Sequence, residues 1–233
     1  MASLAENFRR IKDQIRSLLK ALNRPENSVG LLAVTKDQPV ESLLALARLG
    51  QVDFGENYVQ EWKKKRVLLE EQNANVRWHF IGHLQTNKVK DLVGPITLFH
   101  SIDRSSLAEK IQAEAEKKGV SCRGFVEVNL AQETTKSGVP ENRLDSLLKE
   151  CNRLPHLHIE GLMVIPPLSE DPEQTRPYFR RLREILFDLN RKSVYKNPLR
   201  ELSMGMSNDY AVAIEEGATW IRIGRALLGE RKP

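Results

Sequence analysis

Only two cysteines occur among the 233 residues, Cys122 and Cys151, which excludes a disulfide framework and a cysteine-based metal ribbon. No stretch approaches the roughly 20 consecutive apolar residues that a membrane-spanning helix requires. The opening MASLAENFRRIKDQIRSLLKAL scatters charge throughout and lacks the apolar centre of a secretory signal. Glu6 and Asp13 also set it apart from an acid-poor mitochondrial presequence, so an ordinary helix in a cytoplasmic protein is expected. No Gly-x-Gly-x-x-Gly follows any apolar run, which weakens a dinucleotide-binding reading. Neither sign of charge is scarce: 36 Lys and Arg oppose 31 Asp and Glu, a net charge of +5. That balance favours anionic partners, phosphorylated small molecules among them, without selecting nucleic acid. The one dense basic cluster, residues 63–66, follows Trp62 in a helical pattern and has no interleaved aromatic to stack a base. It reads as a solvated helix face.

What is present is a regular alternation. Leu4, Phe8, Ile11, Ile15, Leu18 and Leu22 step by threes and fours, one face of a helix spanning about residues 1–24. Apolar runs then mark eight strands: GLLAVTK, VDFGEN, VRWHFIG, ITLFHSID, GFVEVNL, LHIEGLMVI, LRELSMG and TWIRIG. Helical patterns lie between them at about 39–49, 57–71, 86–92, 105–118, 140–153, 172–191 and 208–216. The fourth of these segments ends at Gly119, as helices often do. Eight strands, each followed by a helical segment, predict a single α/β domain, residues 1–233, closed as a (β/α)8 barrel of the TIM type. The final RALLGERKP is short for a covering helix, so the N-terminal helix is expected to fill that gap in the outer ring. An open doubly wound sheet would show similar alternation.

Such barrels carry their chemistry where the strands end at the C-terminal side. Here those ends bring Lys36, Glu56 with Asn57, His79 with His83, Asp103, Asn129, Met163, Ser203 with Ser207, and Arg222 with Gly224. Ser207 stands where a helix begins and is expected to cap it, with Asp209 in the first turn. Gly224 lets bare backbone approach a ligand. The loops after the last two strands form the usual phosphate cradle of this architecture. A lysine across the barrel mouth from such a cradle suggests a phosphorylated aldehyde or sugar held as a Schiff base. The amine must then be neutral, its pKa lowered from about 10.4 by burial or by a nearby cation such as Arg222. A capping lysine snorkelling into water is the plainer alternative for Lys36. His156 and His158 share a strand face but begin the strand, on the wrong side of the barrel for chemistry, and read as structural. Nothing nearby would activate Cys122 or Cys151.

LLAVTK, FGENYVQE, WHFIGHLQTNK, SGV, GLMVI, LSMGMSNDY and IRIGRALLG, in that order and covering about residues 30–229, resemble the pyridoxal-phosphate homeostasis protein family, related to the N-terminal barrel of alanine racemase. The resemblance implies a fold-type III barrel that binds pyridoxal 5'-phosphate. It puts Lys36 where the family lysine forms the Schiff base, and Ser207, Gly224 and, more weakly, Ser203 at the phosphate. It puts Arg222 opposite the pyridine nitrogen, Asn57 and His79 along the pocket, and Met163 near the ring. Arg225 departs from the small hydroxyl residue frequent at its position. The implied role is buffering of the cofactor and its delivery to apo-enzymes by a cytoplasmic monomer, with neither nucleic acid nor membrane as partner and no robust catalysis. An arginine facing the ring makes a weaker electron sink than an aspartate, and the second domain on which related racemases rely is not expected here. A pyridoxal-phosphate-dependent racemase or decarboxylase is the alternative. An aldolase-type barrel is a third reading, with Glu56, Asp103 and Glu127 as its candidate acid/base groups.

Overall fold

A computed structural model describes residues 3–131, 133 and 137–229. Helix α1 (Leu4–Ala21) opens on a capping box: the Ser3 hydroxyl accepts from the Glu6 N–H while the Glu6 carboxylate accepts from the Ser3 N–H. Eight parallel strands follow: β1 (Gly30–Val34), β2 (Asp53–Glu56), β3 (Arg77–Phe80), β4 (Ile96–Ile102), β5 (Cys122–Asn129), β6 (Leu157–Met163), β7 (Glu201–Ser203) and β8 (Trp220–Ile223). Each pairs with the next, and β8 pairs back with β1 through Gly30–Trp220 to Ala33–Ile223. The barrel is closed. A short extended pair, Val139–Pro140, adds to the end of β5 outside the ring.

Alternation along each strand divides the core in two. Outward residues such as Leu31, Ala33, Phe54, Phe80, Val126, Leu162 and Ile221 pack under the helices. Inside the barrel Leu98, Phe125 and Met163 cluster with Trp220. Gly30 makes room for that indole, since a Cβ there would lie 2.6 Å from the Trp220 ring. The covering helices are α2 (Val40–Arg48), α3 (Val59–Glu71), α4 (Val89–Leu92), α5 (Ser105–Lys118), α6 (Glu141–Cys151), α7 (Arg176–Arg191), α8 (Tyr210–Glu215) and α9 (Arg225–Leu228). Helix α5 stops at Gly119 in the left-handed conformation, with φ +62°, as its sequence signals. With α9 only four residues long, α1 covers the seam, packing on α9, α8 and α2. Arg24 fixes it there by donating to the Ile214 and Ala218 carbonyls at 2.7 and 2.8 Å. No helix among the described residues is long and apolar enough to cross a membrane.

Both cysteines are buried, and burial pushes their thiols up, Cys151 to about 12. His156 precedes β6 at the closed end of the barrel, where its ring nitrogen bonds the Val120 carbonyl. One basic residue departs from the surface expected of residues 63–66. Lys65 is buried, its Nζ 2.7 Å from Glu56 and 2.5 Å from Glu61. Its neighbours behave as expected: Lys63 pairs with Asp91, and Arg66 with Glu70 over the Trp62 ring. The period of α3 turns position 65 toward the barrel wall, and the two carboxylates make a buried ammonium tolerable there.

Candidate functional site

A cavity of about 230 Å³ opens at the C-terminal ends of the strands. Val34, Ile81, Ile165, Pro167 and Leu168 give it an apolar wall, and Lys36, Asn57, Ser207, Arg222 and Gly224 converge on it from β1, β2, β7 and β8. Asn208 and Arg225 also line it. Asn129 does not; it belongs to a separate groove between α6 and α7, where its amide donates to the Glu133 carbonyl.

Lys36 lies two residues beyond β1, in a turn whose direction is held from behind. The buried Thr35 hydroxyl donates to Glu56 Oε1 at 2.7 Å, and Lys65 donates to the Thr35 carbonyl at 2.5 Å. Glu61 Oε1, itself bonded to Lys65, accepts the Asp37 N–H at 2.7 Å. Asp37 has φ +59°, a left-handed conformation uncommon for a residue with a side chain. Both chain neighbours of Lys36 are therefore tied to one buried ion cluster. Glu56 faces out of the barrel toward α3, and burial raises its carboxyl even beside Lys65. Its Oε2 has no hydrogen-bond partner among the described residues.

Asn57 is held by the close approach of Gly82, where any Cβ would collide with the Asn57 carbonyl. Its side-chain oxygen is buried with no hydrogen-bond partner among the described residues. Ser207 corrects a sequence expectation. Asp209, not Ser207, occupies the N-cap position of α8, without a side-chain bond to the helix; its carboxylate turns back to accept the Met206 N–H at 2.6 Å. The Ser207 hydroxyl instead accepts the Ala226 N–H at 3.1 Å, in the first turn of α9. Ser207 and Gly224 thus bring the last two loops together, with the serine proton left to donate. Arg222 is buried, its Nη1 donating to Ser203 Oγ at 2.8 Å and its Nη2 to the Val164 carbonyl at 2.9 Å. Burial lowers its pKa to about 10, against the attraction of Glu127 and Asp209, so it stays cationic at neutral pH.

His79, Met163 and Ser203 do not line the cavity. Met163 is fully buried in the interior cluster with Leu98 and Phe125. His79 bonds Asp53 and His100, each at 3.0 Å, and Ser203 bonds His100 at 2.8 Å. These interior positions form a polar layer below the cavity floor. Asp53 and His100, which the sequence reading passed over, belong to it. The available signal was parity, since His100 lies two residues after the inward Leu98 and Asp53 two before the inward Gly55.

Glu127, also inward on β5, accepts from Ser137 at 2.9 Å. Burial raises its carboxyl to about 7, with Asp103 adding to the rise and Ser137 and Arg222 opposing it. The folded protein therefore binds this proton more tightly than the unfolded chain. Its contribution to stability is complete below about pH 4.5 and is lost as pH rises to about 7. Glu127→Gln is expected to remove that loss, on the order of 3 kcal/mol at pH 8. Urea unfolding of both proteins at pH 5 and pH 8 checks this, and parallel pH dependences would contradict it.

The alanine racemase N-terminal domain model matches residues 4–232. A pyridoxal phosphate homeostasis protein of Aquifex aeolicus is 45% identical over 97% of this chain and 98% of its own. The structure of PipY from Synechococcus elongatus, with PLP bound, superposes with TM-score 0.81 at 35% identity, covering 92% of this chain and all of PipY. An alanine racemase of Clostridium difficile superposes with TM-score 0.70 at 15% identity, covering 95% of this chain and 56% of the racemase. That last likeness concerns the fold alone.

Proposed function

The chain belongs to the pyridoxal phosphate homeostasis protein family, and from that membership we propose that it binds pyridoxal 5'-phosphate as a Schiff base on Lys36, buffers the free aldehyde and hands the cofactor to apo-enzymes, as a cytoplasmic monomer without robust catalysis of its own. One observation carries the proposal: Lys36 and Arg222 share a small, largely apolar cavity that ends at Ser207 and Gly224. The residues fit the group. An amine meets the aldehyde, a hydroxyl and bare backbone receive the phosphate, and the orphaned Asn57 oxygen supplies an acceptor for a ring substituent. Attachment there would be redox-neutral: the Lys36 nitrogen would replace the carbonyl oxygen, which would leave as water, and hydrolysis would reverse it. Reversal is what a buffer requires.

When bound, such a cofactor supplies an electron sink whose strength depends on what faces its ring nitrogen. Arg222 is cationic and cannot accept a proton there, so the sink is weak. Asp209 is the one carboxylate among the described residues lining the cavity, and its oxygen is engaged by the Met206 N–H. Glu56, Asp103 and Glu127 do not line it, which removes the acid/base partners an aldolase would need. The racemase or decarboxylase reading draws on the shared fold and on Lys36 itself as a base. Visible absorption of the purified protein, borohydride reduction and an amino-acid racemisation assay test these readings. Sustained turnover would overturn the carrier role.

Ser207→Ala is expected to weaken retention of pyridoxal 5'-phosphate by about 1.5–3 kcal/mol, the value of one hydrogen bond to a charged group. Pyridoxal without the phosphate should be held equally by both proteins. Equal losses for the two vitamers, measured by equilibrium dialysis, would remove Ser207 from the phosphate site.

A further inference from the structure

The polar layer beneath the cavity is a continuous chain across the barrel. At its lower end Arg77 grips Asp53 with two hydrogen bonds, at 2.8 and 2.7 Å. Asp53 Oδ1 lies 3.0 Å from His79 Nε2, His79 Nδ1 lies 3.0 Å from His100 Nε2, and His100 Nδ1 lies 2.8 Å from Ser203 Oγ. Ser203 Oγ then accepts from Arg222, which lines the cavity. From Asp53 to Arg222, the five side chains point inward from five different strands: β2, β3, β4, β7 and β8.

The charged ends fix the direction of every bond. Asp53, held ionised by Arg77 and His79, can only accept, so His79 carries its proton on Nε2. Burial keeps both imidazoles neutral. His79 Nδ1 is therefore an acceptor and takes the Nε2 proton of His100. His100 Nδ1 is in turn an acceptor and takes the Ser203 hydroxyl proton. The serine oxygen is left with its lone pairs toward the Arg222 guanidinium. All four bonds point from arginine to aspartate, and every dipole presents its negative end to the buried cation. Such aligned bonds reinforce one another in a low-dielectric interior.

We propose that Asp53 and His100 are positioning residues: acting through His79 and Ser203, they hold Arg222 in the orientation it presents to the ring of bound pyridoxal 5'-phosphate. The proposal rests on the cofactor reading above, and it gives His79 and Ser203 a supporting role rather than a contact with the cofactor. Glu127 and Asp209 attract the same guanidinium without a hydrogen bond to it, so they stabilise its charge but leave its orientation to Ser203 and Val164.

Two measurements test it on the full chain. Long-range ¹H–¹⁵N correlation of the imidazoles at neutral pH, with no cofactor added, should show His79 and His100 both neutral and protonated on Nε2, assigned by His79→Gln and His100→Gln. A proton on Nδ1 of either ring, or a charged ring, overturns the directed chain and the proposal with it. In protein loaded with pyridoxal 5'-phosphate, Asp53→Asn and Ser203→Ala should each shift the cofactor's visible absorption maximum while borohydride still labels Lys36. Ser203→Ala breaks the chain far from the Arg77 pair, so it decides the matter should Asp53→Asn fail to fold. A wild-type spectrum in Ser203→Ala, with Lys36 labelled, overturns the proposal alone. Failure to label Lys36 in the unmodified protein overturns the cofactor reading and this proposal together.

Discussion

Lys36→Ala is expected to abolish covalent capture of pyridoxal 5'-phosphate completely. Among the described residues lining the cavity, Lys36 carries the one primary amine that can condense with the aldehyde, and alanine leaves nothing to replace it. The wild-type chain, incubated with the vitamer and reduced with borohydride, should gain the mass of one cofactor at residue 36, and the variant none. The fold should survive, because Lys36 is only half-buried and lies beyond the end of β1. Its chain neighbours keep their own bonds to Glu56 and Glu61. Residual non-covalent binding through Ser207, Gly224 and Arg222 should remain, weaker and without the visible band. A labelled variant would move the attachment point elsewhere. A variant that unfolds would show that the lysine supports the core rather than the rim.

The second large effect falls on stability. Lys65→Met is expected to cost roughly 3–5 kcal/mol, the usual penalty for removing one partner of a buried ion pair. Methionine nearly matches the lysine in volume, so a cavity contributes little. The loss comes from Glu56, left without its cation, together with the Thr35 carbonyl and Glu61. Because burial already raises the Glu56 carboxyl, protonation relieves the stranded charge, and the deficit should be smaller at pH 5 than at pH 8. Glu56→Gln added to Lys65→Met should recover part of the loss, since a neutral pair needs no counterion. The same change should loosen capture at Lys36, whose flanking residues share that cluster. A urea unfolding free energy within about 1 kcal/mol of the wild type at pH 8 would show that the ammonium is dispensable.

Lys65 also marks where sequence reading stops. Within residues 63–66 it is one of four consecutive basic side chains, and composition assigns them all to solvent. Helical phase puts position 65 on the buried face with Val59, Trp62 and Leu69, but a buried ammonium there depends on two carboxylates: Glu61 one turn earlier and Glu56 on the preceding strand. Ser207 fails for a similar reason. Its local pattern is that of a helix cap, and its actual partner is the Ala226 amide on a different loop. The interior chain was legible only in part. Strand ends put His79 and Ser203 near the rim and the family resemblance put them in the pocket, although they point into the layer below.

Periodicity by itself was enough to set the alternation of strands and helices, the covering role of α1, the stop at Gly119 and the placing of Lys36, Asn57, Arg222 and Gly224 at one rim. Each of these follows from which face of a strand or helix a residue occupies, and that is a local property of the chain. Packing of α3 on β2 decided which cation is buried, and closure of the ring decided the rest: which amide Ser207 meets, and how five strands join Asp53 to Arg222. Those pairings connect residues up to more than a hundred positions apart, and no local pattern encodes a distance that only the folded barrel creates.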